Sequence, residues 1–178
     1  MQLKTRPATE DDAEQLAILN QQFNGGNRRP VAEVVDSMRT CNEIIAVAEI
    51  DGQVVGFGCA QSYRSFCYEE LLGEITELYV EPTARRKGVA TALINCLEEM
   101  LITRGVTEIK VLTGRRNDRA IRMYERFNYV RDDERTRTAK DSAGKRCTYQ
   151  VSESPMRRLL NIAFATVTGR NSGKVRYR

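Results

Sequence analysis

The feature that most restricts the fold is a single change of period between residues 73 and 105. Residues 73–80, GEITELYV, are rich in strand formers. The polar loop EPTARRKG follows, and apolar residues then return at helical spacing as Leu93, Ile94, Leu97 and Leu101. Gly105 stops that run. A strand feeding straight into a long amphipathic helix must bury a strand face and a helix stripe together, which calls for mixed α/β layers.

The flanking sequence agrees. Residues 2–6 are extended in character and end at Pro7. Thr9, followed by Glu10, Asp11 and Asp12, reads as a helix start, and Leu16, Leu19 and Phe23 mark its apolar face. Asn24-Gly25-Gly26-Asn27 breaks that helix. Pro30 opens a second one to about Arg39, with Val31, Val34, Val35 and Met38 on the buried side. Residues 44–50 and 53–60 read as a hairpin about the turn Asp51-Gly52. Residues 61–72 fit no single pattern. Residues 108–112 read as a short strand, and Asp118 is expected to cap a helix running to Phe127. Two more strands are expected around Asp141-Ser142-Ala143-Gly144.

The loop before the long helix has chemistry of its own. Arg85, Arg86 and Lys87 precede Gly88, Val89 and Ala90 in an R-x-x-G-x-A pattern. A helix N-terminus presents unpaired N–H groups and partial positive charge, a favourable place for phosphate. Gly88 lets the backbone approach a ligand, and small Ala90 avoids crowding it. The pattern is not the G-x-x-x-x-G-K-[ST] of a P-loop. A plainer reading, a glycine-capped loop with solvated arginines, uses the same residues.

Composition excludes several classes of chemistry. The 178 residues contain no histidine, which removes Ser-His-Asp and Cys-His catalysis and histidine-ligated zinc. The five cysteines are scattered with no C-x-x-C pair, so reduced thiols and a cytoplasmic location are expected, with no metal. No apolar run approaches the ~20 residues of a membrane span, and the first residues lack the apolar core of a signal peptide. The net charge of +4 is local. Six basic residues and no acidic ones follow Pro155, and the remainder carries 22 basic against 24 acidic residues, a net of −2. Global charge therefore does not argue for nucleic acid.

Three segments in order resemble the GNAT family of acetyl-CoA-dependent N-acetyltransferases: RPATEDDA at residues 6–13, ITELYVEPTARRKGVATALINCLEE at 75–99, and NDRAIRMYERFNY at 117–129. The likeness spans roughly residues 2–150. It implies the GNAT fold, a central mixed and mostly antiparallel sheet flanked by helices, with acetyl-CoA as co-substrate. It further implies that main-chain N–H groups of Arg85, Arg86, Lys87, Gly88, Val89, Ala90 and Thr91 hold the pyrophosphate. By the same resemblance the pantetheine arm runs beside Leu78, Tyr79 and Val80, and Asn117 lies near the cofactor.

Two catalytic roles are expected. An alkylammonium has a pKa near ~10, so the acceptor amine must lose a proton before it attacks a thioester. The departing sulfur also needs a proton or a hydrogen bond. Tyr124 stands where GNAT enzymes often carry the tyrosine that serves the sulfur, and its hydroxyl is a suitable donor. Its alternative is a core aromatic beside Ile121 and Phe127. For the amine, Glu77 is preferred. On a regular strand it shares a face with Ile75 and Tyr79, where a carboxylate needs a partner or a task. A salt-bridged structural glutamate is the alternative for Glu77, and Glu74 is its rival as the base. A regular strand aims the two at opposite faces unless a bulge intervenes.

By the same resemblance, the first two helices and residues 61–72 shape the acceptor pocket. Phe23, Tyr63, Phe66, Tyr68, Glu69 and Glu70 there suit a cationic amine, such as an aminoglycoside or a polyamine. An exposed acidic loop with ordinary aromatic packing is the other reading. A protein or peptide acceptor and a non-catalytic acyl-CoA-binding module remain as alternatives. The domain is expected over residues 1–152, with 153–178 a basic tail holding a short helix through Met156, Leu159, Leu160, Ala163 and Val167. That tail serves a homodimer contact, an anionic surface, or neither.

Overall fold

A computed structural model describes residues 1–67, 69–114 and 116–130, together with the backbone of residue 131 and of strands 137–140, 146–149 and 157–163. The chain divides into two units, Met1–Val106 and Thr107–Arg178.

The first unit holds β1 (Leu3–Pro7), α1 (Ala13–Asn24), α2 (Val31–Thr40), β2 (Glu43–Ile50), β3 (Gln53–Arg64), β4 (Leu71–Val80) and α3 (Val89–Thr103). The strands pair antiparallel in chain order, β1 to β2 to β3 to β4. Asp51 and Gly52 both take positive φ, 51° and 84°, which is the backbone twist a two-residue hairpin turn needs. The segment that fits no sequence pattern resolves into the end of β3, a connection at 65–70 and the start of β4. Tyr68 lies outside the described residues.

Helices cover both faces of this sheet. On one, Leu16, Ala17 and Leu19 of α1 and Val34 of α2 pack with Val47, Phe57, Cys59 and Tyr79. Phe23, Phe57 and Tyr79 form an aromatic triad with centroids 5.3–6.2 Å apart. Val31, expected on the buried side of α2, is 40% exposed. On the other face lies α3, with Leu93, Ile94, Leu97 and Leu101 fully buried as its period predicts. Glycines let it sit close: a Cβ on Gly58 would stand 2.8 Å from Leu97, and one on Gly73 would stand 3.3 Å from Leu101.

The chain entry is locked by charge. Arg6 donates to both carboxylate oxygens of buried Asp12, at 2.7 and 2.8 Å, and its Nε donates to Glu49 at 2.8 Å. Asp12 also accepts from the Thr9 N–H at 2.8 Å, so one carboxylate closes the first helical turn and ties it to Arg6 of β1, while Glu49 ties Arg6 to β2. The Arg6 guanidinium holds the Asp12 carboxyl below its ordinary range.

The second unit holds β5 (Glu108–Gly114), α4 (Asp118–Arg126), β6 (Val130–Arg131), β7 (Arg137–Lys140), β8 (Arg146–Tyr149) and β9 (Arg157–Ala163). Two expectations are corrected here. The cap of α4 is Asn117 rather than Asp118: its side chain accepts from the Ala120 N–H at 3.2 Å. Residues 157–163 are a strand and not a helix. β9 runs parallel to β5 and to β6 and lies between them. Periodicity cannot separate a short apolar run such as LLNIA into helix or strand, and here pairing on both sides supplies the backbone partners. Strands β7 and β8 pair antiparallel as expected, while the turn between them, Met156, Val167 and the final residues lie outside the described ones.

Candidate active site

The predicted cofactor residues of the first unit lie on one continuous segment, the end of β4, the following loop and the first turn of α3. The loop begins with a short 3-10 turn, Pro82–Ala84, after which Arg85 is extended. Arg85 Nε donates to the Val80 carbonyl at 3.1 Å, tying the loop back to the strand that leads into it. Arg86 and Gly88 then take positive φ, 64° and 82°. Left-handed residues within such a turn bring successive N–H groups toward one side, a concavity suited to anions.

α3 begins with its donors unspent on side chains. Gly88 is its cap residue, no side chain caps it, and its first turn holds no acidic residue. The helical ladder opens with the Ala92 N–H donating to the Gly88 carbonyl at 3.0 Å, so the N–H groups of Val89, Ala90 and Thr91 precede it. Beside Gly88 there is room: a Cβ there would meet only Leu3, at 3.9 Å. Arg85, Arg86 and Lys87 are exposed. Open space, positive charge and unpaired donors together fit a pyrophosphate.

Of the three β4 residues assigned to the pantetheine arm, Leu78 and Val80 are half-buried and Tyr79 is buried. The Tyr79 hydroxyl donates to Gln22 Oε1 at 3.1 Å, so this side chain holds α1 onto β4.

β4 is not a regular strand, which changes the reading of its carboxylates. Opposite β3, Glu77 pairs with Cys59, but the next β3 residue, Ala60, pairs with Ile75. Thr76 is the extra residue of a bulge. The alternation therefore resets. Ile75 faces α3 and is 2% exposed, whereas Glu77 shares the α1/α2 face with Tyr79, Phe57 and Cys59. Glu74, opposite Gln61, falls on that same face. Two expectations change: Glu77 and Ile75 do not share a face, and Glu74 and Glu77 do. Glu77 is also exposed. The burial cost invoked for it does not apply, and its value is as an accessible carboxylate.

Sequence reasoning missed Glu43. This β2 residue lies opposite Gln61, and its Oε1 accepts from Thr76 Oγ1 at 2.9 Å. A strand-terminal glutamate carries no sequence signal, and only the bulge brings Thr76 toward it.

In the second unit, Tyr124 of α4 is 5% exposed and packs edge-on against Tyr129, with centroids 5.6 Å apart. Asn117 is exposed and spends its carbonyl on the α4 cap, so only its amide Nδ2 is a donor for a ligand. Among the residues expected to select an acceptor, Tyr63 and Phe66 are exposed on and just beyond β3, and Phe23 is half-buried in the aromatic triad. No metal-binding group of His, Cys, Asp or Glu occurs among the described residues, and none of their helices is long and apolar enough to cross a membrane.

Comparison with known proteins identifies the family and the fold. The family model described as "Acetyltransferase (GNAT) family" matches residues 13–129. Among solved structures, the chain is similar to the aminoglycoside acetyltransferase HMB0005 from an uncultured soil metagenomic sample. That similarity is 26% identity over 71% of this chain and 91% of that one, with a TM-score of 0.63. It is also similar in fold to AAC(6')-Iy, solved with the bisubstrate analog CoA-S-monomethyl-acetylneamine, at 20% identity over 79% and 99% with a TM-score of 0.66. A ribosomal-protein-alanine N-acetyltransferase from Brucella melitensis biovar Abortus 2308 matches at 21% identity over 70% and 89%, with a TM-score of 0.61. The chain belongs to the GNAT acetyltransferase family. It is an acetyl-CoA-dependent N-acetyltransferase with that family's mixed α/β fold.

Proposed function

We propose that the chain transfers acetyl from acetyl-CoA directly to a primary amine of a small cationic molecule, of the aminoglycoside or polyamine kind. The observation that carries this is the bulge in β4. It turns the exposed Glu77, with Glu74, to one sheet face, on the same strand that leads into the anion loop. The likeness to the aminoglycoside acetyltransferase HMB0005 supports the acceptor class.

The residues divide the work as follows. Main-chain N–H groups from Arg85 to Thr91 hold the pyrophosphate, with the charges of Arg85, Arg86 and Lys87 around them. The main chain of Leu78, Tyr79 and Val80 receives the pantetheine arm, and Asn117 Nδ2 donates to the cofactor. Glu77 orients the ammonium and takes its proton, directly or through water. The freed nitrogen lone pair attacks the thioester carbonyl carbon, and the C–S bond breaks. The Tyr124 hydroxyl gives its proton to the departing sulfur, and the second proton of the acetylated nitrogen, passed directly or through water, restores that hydroxyl. Orientation of amine against thioester supplies much of the rate. The reduced thiols fit a cytoplasmic enzyme.

A protein N-terminus is the second reading, favoured by the likeness to the ribosomal-protein-alanine enzyme and by exposed Tyr63 and Phe66, which suit an extended peptide. Release of coenzyme A thiol from acetyl-CoA against polyamines, aminoglycosides, amino acids and peptides separates the two. The proposal expects turnover with the polyamines or aminoglycosides to exceed that with the peptides by at least about tenfold, since Glu74 and Glu77 on one face favour an acceptor with more than one positive charge. Preference for the peptides would replace it with the second reading.

A further inference from the structure

The bulge that aims Glu77 has a side-chain clasp. Thr76 has no partner residue on β3, since the register passes from the Cys59–Glu77 pair to the Ala60–Ile75 pair. An extra residue leaves the ladder locally unmade, and nothing in the strand's own alternation fixes where it sits. If it moved past Glu77, that carboxylate would turn to the α3 face, because a one-residue slip reverses every side chain.

Thr76 is held from two strands away. Its Oγ1 donates to Glu43 Oε1 at 2.9 Å in a partly buried setting. Glu43 pairs with Gln61, and Gln61 pairs with Glu74, so the contact reaches over the middle strand. Backbones of β2 and β4 are roughly 10 Å apart there, twice the strand spacing. The buried Cys59 thiol lies on the same face as Glu43 and Glu77. Burial pushes its pKa up, and the charges of Glu43 and Glu77 push it in the same direction.

We propose that Glu43 is a positioning residue, which accepts the Thr76 hydroxyl and so keeps the β4 bulge where it turns Glu77 toward the acceptor amine. This rests on the role given to Glu77 above. The requirement at position 43 is an acceptor atom and not a charge, and at position 76 it is a hydroxyl.

The test uses the full chain with E43A, E43Q, T76V, T76S and E77Q, the best amine of the panel, and hydrogen exchange across residues 71–80. E43A and T76V are expected to lower kcat/KM for the amine about tenfold, with KM for acetyl-CoA within about twofold. They are also expected to speed exchange in β4. E43Q and T76S keep the hydrogen bond and are expected to restore both readouts. E43A added to E77Q is expected to cost nothing further, because Glu43 acts through Glu77. E43Q as damaging as E43A, with T76V silent, would mean that the charge itself matters and would overturn the proposal. Wild-type values in E43A and T76V beside an impaired E77Q would overturn this inference alone. A silent E77Q would remove the role of Glu77 and this inference with it.

Discussion

Tyr124→Phe is expected to lower kcat about a hundredfold while leaving KM for acetyl-CoA within about twofold. The expectation follows from what the substitution spares. Tyr124 is buried and packs edge-on against Tyr129, and phenylalanine keeps the ring that makes this contact. Only the hydroxyl is lost, at a stability cost of about 1 kcal/mol. The proposed role makes the catalytic cost larger, because it has the hydroxyl protonate a sulfur that gains charge only as the C–S bond breaks. A hundredfold is the lower end for general acid catalysis, and a thiolate with a pKa near ~8.5 leaves more easily than an alkoxide. Steady-state rates with both substrates varied read this directly. Wild-type turnover would assign Tyr124 to the core and leave the sulfur to solvent.

The second large effect is expected at Gly88. Gly88→Asp places a carboxylate beside the proposed pyrophosphate position and is expected to raise KM for acetyl-CoA about a hundredfold, equivalent to about 2.7 kcal/mol. Its φ of 82° is strained for any side chain, so the backbone effect must be separated from the charge. Gly88→Asn does so. Asparagine and aspartate tolerate left-handed backbone to similar degrees, and only one of them is charged. The open space beside Gly88 accommodates either side chain, with Leu3 at 3.9 Å the only near neighbour of a Cβ. The account expects Gly88→Asn to raise KM by less than about tenfold, with the rest of the Asp effect electrostatic and weakened by salt. Equal effects of the two variants, measured by initial rates and by direct titration of coenzyme A, would show that backbone geometry and not anion binding is at stake.

The parts of this fold legible in the sequence are those where one local rule acts alone. Asp51-Gly52 announced its turn because few other pairs accept two consecutive positive φ values. The stripe Leu93, Ile94, Leu97 and Leu101 announced α3 because every member is buried. The start of α3 was legible too, since a glycine ends a charged loop directly before the apolar stripe, and Gly88 is its cap residue. What was not legible depends on pairing between distant segments. The bulge at Thr76 is a register event between β3 and β4, and GEITELYV read alone is a straight strand. A straight strand puts Ile75 beside Glu77, whereas the bulge leaves Tyr79 there and sends Ile75 to the other face, and Glu77 itself is exposed. Glu43 gains meaning only from Thr76, 33 residues away. The strand at 157–163 owes its form to partners on both sides, which a short apolar run cannot advertise. Asn117 and Asp118 are both good capping residues, and the choice between them is a matter of one residue of phase.

The most direct test of the central claim is a two-substrate initial-rate measurement of coenzyme A thiol release, with acetyl-CoA and the best amine varied together. Direct transfer from acetyl-CoA to a bound amine predicts release that depends on the amine, with intersecting double-reciprocal lines. Parallel lines, the mark of an acetylated enzyme intermediate, or release that ignores the amine would contradict it.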